Sequence, residues 1–130
     1  MKSIYEKQRI IQNTFSRKMN KPSPVSFDGN HSKKTVIDFI LEHSYFMSQE
    51  VDEILAEVAG TRNRVKPWNK DHESLKNELF MSTDRVKEEA MDMLAFAMNI
   101  LMACGITPED IEDEYDKVYD KVTDRQLEMK

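Results

Sequence analysis

The chain has 130 residues and a mass of 15.3 kDa, a length for one domain that buries roughly two-thirds of its unfolded surface. Its 39% hydrophobic and 33% charged residues exclude a disordered acidic tail and a membrane protein, and a net charge of -5 leaves no basic field for gripping duplex nucleic acid. A lone cysteine, Cys104, forms no internal disulfide, and Met1 to Glu6 lacks the apolar stretch of a signal peptide, so a cytoplasmic protein is expected.

Three glycines and four prolines fall where helices should stop and start, which reads as an all-α bundle of four to five helices in a single domain over 1–130. A first helix is expected from about Ser3 to Met19. A linker follows over 20–33, with Pro22, Pro24 and Gly29 and no helical period. A second helix is expected from Thr35 to Val58, with Ile40, Met47, Val51, Ile54 and Val58 at three- and four-residue steps turned toward the core.

Gly60 to Asp71 is polar and basic and reads as a long loop, followed by a short helix through Leu75 to Phe80. The next long helix opens near Ser82, Thr83 and Asp84, where a side-chain oxygen can accept a bond from a first-turn amide, and ends at Gly105. Thr107, Pro108, Glu109 and Asp110 predict the start of a last helix: an N-cap, a proline at the first helical position, and acids at the positive end of the dipole.

Chemistry concentrates in acids at helical spacing. Glu50, Glu53 and Glu57 stack along one face of the second helix, beside its apolar stripe. Alone they read as a solvated acidic face. Glu89 and Asp92 repeat the spacing, and from Ala90 to Cys104 only Asp92 and Asn99 are polar. A helix apolar all round is buried, so Asp92 is expected inside, where a carboxylate needs a cation or strong donors.

No Lys or Arg lies within one turn after Asp92, and Arg85 and Lys87 upstream are read as pointing outward, so a divalent metal is the economical partner. Oxygen ligands alone suit Mg²⁺ or Mn²⁺ rather than zinc. The di-iron pattern Glu-x-x-His is absent from both acidic helices. His31, His43 and His72 are scattered and read as surface or core histidines, and the nine methionines as core filler.

Basic groups fall in two places. The loop carries Arg62, Arg64, Lys66 and Lys70 around Trp68, which serves either packing or base stacking. Lys117, Lys121 and Arg125 form a stripe on the last helix that either pairs with Asp113, Asp116 and Asp120 or joins the loop in holding an anionic substrate such as a phosphate chain.

These motifs resemble those of the all-α nucleoside triphosphate pyrophosphohydrolases, the superfamily of dimeric dUTPases and MazG-like enzymes. Glu50 to Glu57 resembles the first E-x-x-E helix with its extra glutamate, Lys66-Pro67-Trp68 the Lys-aromatic-Trp that follows, and Glu88 to Phe96 the E-E-x-x-D helix, over roughly Ser48 to Gln126. The Glu53 to Glu89 span is longer than in minimal MazG-like domains, and no asparagine stands between Lys117 and Arg125.

The resemblance implies a fold of the all-α NTP pyrophosphatase type and a homodimer or higher homo-oligomer. It also implies Mg²⁺ held by Glu50, Glu53, Glu89 and Asp92, with Glu53 orienting or deprotonating the attacking water. The implied substrate is dUTP, cleaved to a nucleoside monophosphate and pyrophosphate. A broader MazG-like or dCTP-directed enzyme is the nearest alternative, and a non-catalytic helical adaptor the alternative from another class.

Overall fold

The computed structural model describes residues 1–26 and 31–128, so residues 27–30 of the expected linker lie outside the described residues. It contains α1 (Lys2–Lys18), α2 (Lys33–Ala59), α3 (Asp84–Ala103) and α4 (Ile111–Glu128), with 3₁₀ turns at Pro24–Ser26, Asn63–Val65 and Glu73–Asn77. No strand occurs among the described residues. None of the helices is long and apolar enough to cross a membrane, among the described residues. The all-α expectation holds.

Local chemistry explains three of the helix ends. Ser32 caps α2, its hydroxyl accepting from the Thr35 amide at 3.1 Å. Thr83 does the same for α3, accepting from the Val86 amide at 3.2 Å. Gly105 closes α3 at φ 94°, with the Gly105 amide on the Met102 carbonyl and the Ile106 amide on the Leu101 carbonyl, a Schellman pairing that uses a left-handed residue.

Two boundaries differ from expectation. Thr107 to Asp110 close a turn through the Asp110 amide and the Thr107 carbonyl, with Pro108 fully buried inside it, so α4 begins at Ile111. The helix expected through Leu75 to Phe80 is the 3₁₀ turn Glu73–Asn77, and Glu78 turns extended. Leu79 and Phe80 have no buried partner face: they are 94% and 61% exposed.

The chain divides into two compact units, Met1–Phe39 with Met98–Lys130, and Ile40–Ala97. In the first, Tyr5 is fully buried and donates its hydroxyl to the Ile106 carbonyl at 2.6 Å. Burial pushes its phenol well above the usual range, so the ring stays protonated and keeps donating.

Beside it runs a closed amide chain. Gln8 donates to Asn99 Oδ1 at 3.2 Å, Asn99 donates to Gln12 Oε1 at 3.1 Å, and Gln12 donates to Ser16 Oγ at 3.3 Å. Each bond contributes about 1 kcal/mol net, and stranding one member costs more than it contributes. Met98 and Met102 are buried in the same unit and fill its core, whereas Met1, Met19, Met81 and Met91 are exposed, so the reading of the methionines as core filler holds for only some of them. The linker is anchored there too: Val25 is buried and Ser23 donates to Asn13 at 2.6 Å.

The second unit is built on α2 and α3. Phe46 and Phe96 meet with ring centroids 5.4 Å apart, and His43 stands 5.7 Å and 5.8 Å from them. The face of α2 turned to α3 is therefore the line of His43, Phe46, Glu50 and Ile54, whereas Val51 and Val58, expected in the core, are exposed. The acids do not stand beside the packed face; they continue it.

Burial of His43 against the two rings pushes its imidazole below the ordinary value, opposed in part by the nearby Glu42 charge. A depressed histidine leaves stability untouched above the unfolded-state value of 6.5. It removes stability as pH falls below that value, because the unfolded chain then takes up a proton that the folded ring resists. Urea midpoints should therefore drop between pH 7.5 and 5.5, and His43→Asn should flatten that slope even if its midpoint is lower throughout. A His43 ring titrating in NMR at or above the ordinary value would contradict this.

Candidate metal centre

The site lies within the second unit and follows from the register of its two helices. Arg85 Nε donates to Glu57 Oε1 at 2.7 Å, while Phe46 and Phe96 meet further along. Phe46 to Glu57 and Arg85 to Phe96 are equal spans of chain, so α2 and α3 run antiparallel and in step over about 16 Å. Between those two contacts, the same step faces Glu50 with Asp92 and Glu53 with Glu89.

Carboxylate oxygens of Glu50, Glu89 and Asp92 lie within 4.8 Å of one another. Glu89 is pushed above the usual carboxylate range, first by its contact with Glu50. Glu53 is pushed up in the same sense, first by its contact with Glu89, while Arg62 and Arg85 draw it back down. All four acids of the expected set therefore meet.

The donor set fits a hard divalent cation. Oxygens about 2.0 to 2.6 Å from one ion stand no more than about 5 Å apart, as these do. Glu50 Oε2 adds an independent sign: it is buried and accepts no hydrogen bond, which is costly for a carboxylate oxygen and is what a ligand atom awaiting a cation would show.

One expectation is corrected. Asp92 is exposed rather than interior, and Glu50 and Glu89 are half-buried. Within its unit α3 packs one side on α2 and leaves Met91 exposed away from it, and Asp92, although in line with Glu89 and Phe96 on the side toward α2, stays open to solvent because it meets the carboxylates of Glu50 and Glu89 there rather than apolar side chains. The cluster opens to solvent, as a site for a small anionic substrate must.

The basic groups are divided. Lys66 and Lys70 are exposed in the second unit, and Lys66 Nζ lies 5.9 Å over the Trp68 ring, a cation-π contact on a ring that is 80% exposed. Asp52, Leu55, Arg62, Val65 and Lys66 line a recess of about 200 Å³. A larger, mostly apolar cavity of about 410 Å³ lies between Leu55 and Val58 on α2 and Leu75, Leu79 and Phe80 in the loop.

Lys117, Lys121 and Arg125 belong to the first unit, exposed on α4, and Lys117 is bonded to Glu114 at 3.0 Å rather than to an aspartate. Arg64, grouped by sequence with the substrate-facing cations, is engaged structurally. It donates to the Ala59 carbonyl at 3.0 Å and to Ser74 at 3.1 Å and pairs with Glu78, pinning the loop to the end of α2.

Two further polar residues of α2 and α3 have partners. Glu57 is paired with Arg85, and Asn99 is only 1% exposed inside the Gln8 and Gln12 chain. Arg85, read as pointing outward, instead reaches across to α2. The signal for it was present: Arg85 precedes Glu89 by one turn as Glu57 follows Glu53 by one turn.

Compared with known proteins, the chain matches no family model, no curated protein and no solved structure.

If the cluster holds a divalent cation, Mg²⁺ should raise the melting temperature of the parent, by about 2.7 kcal/mol of stabilisation at a hundredfold excess over Kd. Asp92→Ala should lose that response while the metal-free fold holds or gains stability, because one of several crowded negative charges has gone. An unchanged response to Mg²⁺ in Asp92→Ala would remove the site.

Proposed function

We propose that the protein is a Mg²⁺-dependent nucleoside triphosphate pyrophosphohydrolase, with dUTP the favoured substrate and a nucleoside monophosphate and pyrophosphate the products. The observation that carries this reading is the convergence of three carboxylate oxygens within 4.8 Å, on the two helices that bear the E-x-x-E and E-x-x-D motifs. Glu50, Glu53, Glu89 and Asp92 would hold the metal. Once bound, Mg²⁺ or Mn²⁺ would neutralise the phosphate chain and acidify a water molecule.

Glu53 is the base in this reading. It is exposed, so water reaches it, and it stands beside Glu89 at the edge of the carboxylate cluster, where it can take up the proton of a nearby water. It takes the proton of the water that bonds to the α-phosphorus, and the bond from that phosphorus to the bridging oxygen breaks, releasing pyrophosphate. Lys66 and Lys70, with Trp68 as a stacking surface, are the groups of the same unit proposed to meet the substrate. Lys117, Lys121 and Arg125 remain proposed contacts on α4.

The position of bond cleavage tests the chemistry. Incubation of dUTP with enzyme and Mg²⁺ in ¹⁸O-labelled water should place the label on dUMP. Label in orthophosphate beside dUDP would refute the mechanism, and label in pyrophosphate would mean attack at the β-phosphorus. A panel including dCTP and the ribonucleotides reads the base and sugar preference. If no triphosphate is turned over, the helical adaptor becomes the better reading.

The same reading includes a homodimer or higher homo-oligomer. It is supported by exposed apolar side chains on α2, where Leu41 and Tyr45 are 63% and 62% exposed and Val51 continues the row. Light scattering should give at least twice the chain mass at micromolar concentration, and Leu41→Asp should reduce it toward the monomer. A parent that is strictly monomeric would overturn this part.

A further inference from the structure

Arg85 differs from the other cations around the carboxylates in how its donors are used. Its Nε is bonded to Glu57 at 2.7 Å, yet its side chain is 70% exposed, and no other hydrogen bond engages it among the described residues. The two terminal nitrogens carry four further N–H groups on this largely exposed side chain. Arg64 is the contrast: both of its terminal nitrogens are bonded, and its side chain is 22% exposed.

Position gives this arrangement meaning. Glu57 and Arg85 are each one helical turn, about 6 Å along the axis, beyond Glu53 and Glu89, on the same side of the helix pair. A polyphosphate held at the carboxylates through a metal would otherwise extend toward a further acid, Glu57. With Arg85 laid on Glu57, that acid is neutralised, and the planar fork is fixed with its open edge available to phosphoryl oxygens.

We infer that Arg85 is the polyphosphate-binding arginine of this site and that Glu57 is its positioning residue, holding the guanidinium through Nε so that its terminal nitrogens donate to the oxygens of the phosphate chain. The inference rests on the reading of the site as one for metal-bound polyphosphate. It assigns the distal phosphates to a residue outside the four acids and the lysine groups. Glu57 is then an orienting group for the arginine rather than a fifth metal ligand.

The test uses the full chain as parent, Arg85→Ala, Arg85→Lys and Glu57→Gln, with three readouts: the melting shift caused by Mg²⁺ alone, calorimetric binding of inorganic pyrophosphate with Mg²⁺ present, and steady-state kinetics on dUTP. Arg85→Ala should keep the Mg²⁺ shift, lose about 10- to 100-fold in pyrophosphate affinity, and raise KM for dUTP more than it lowers kcat. Arg85→Lys, which restores a point charge without the fork, should recover part of the loss. Glu57→Gln should fall between parent and Arg85→Ala.

Unchanged pyrophosphate affinity in Arg85→Ala, or a loss matched by loss of the Mg²⁺ shift, would overturn the inference. A Glu57→Gln variant equal to the parent would overturn the role of Glu57. A parent that turns over no deoxynucleotide, yet binds pyrophosphate through Arg85, would sink the hydrolase reading and leave the arginine site standing. A parent that binds no pyrophosphate would overturn the arginine site itself.

Discussion

The step between α2 and α3 decides where every acid in the second unit goes. Phe46 against Phe96 fixes one end of it by burial, and Glu57 against Arg85 fixes the other by a charged hydrogen bond. Once both contacts are made, helical geometry places Glu50, Glu53, Glu89 and Asp92 between them. The aromatic contact carries the energy, because an exposed ion pair adds little stability in water. The ion pair disfavours a slip in one direction: a shift of one turn that set Glu57 against Glu89 would replace attraction by repulsion.

Bringing four carboxylates together opposes folding, and the raised Glu53 and Glu89 carboxyls are the record of it. The second unit therefore holds a locally unfavourable group of charges between two favourable contacts. Such conflicts gather at functional sites, where a ligand supplies what the fold withholds. Arg62 and Arg85 offset part of that charge at Glu53, while Glu50 Oε2 is buried without a donor. The first unit gathers no comparable cluster of like charges among its described residues, although Arg9 Nε and His31 Nε2 are buried there without a hydrogen bond to those atoms. Its buried amides satisfy one another from Gln8 to Ser16, and its tyrosine hydroxyl meets the Ile106 carbonyl.

Exposed apolar side chains are the second theme. Ile10, Ile11 and Phe15 on α1, Leu41 and Tyr45 on α2, and Tyr115 and Tyr119 on α4 are all more than half exposed. Single exposed hydrophobes are ordinary, but rows at helical spacing on several elements are not. The amphipathic pattern of α2 has two apolar edges. One meets α3, and the other is exposed at Leu41, Tyr45 and Val51 and borders the loop at Leu55 and Val58.

The sequence by itself determined the helices, because capping and helix-stop signals are local. Ser32 and Thr83 each meet an amide within three residues, and Gly105 supplies the left-handed residue that ends α3. It also determined the acids, since three-residue spacing on a helix puts Glu50 with Glu53 and Glu89 with Asp92 on shared faces whatever the helices pack against. Which face packs was not local. Two apolar edges compete on α2, and only the aromatic contact with Phe96 turned the acidic line inward and left Val51 and Val58 outside.

The cations depended on tertiary structure most of all. A lysine or arginine side chain is long enough to reach several acids, so sequence spacing does not choose among them. Arg64 was drawn to the end of α2 and to Glu78 by the fold of its own loop, Lys117 settled on Glu114, and Arg85 crossed to Glu57. Charge pairing between helices is set by register, and register is a property of the packed pair rather than of either strip of sequence.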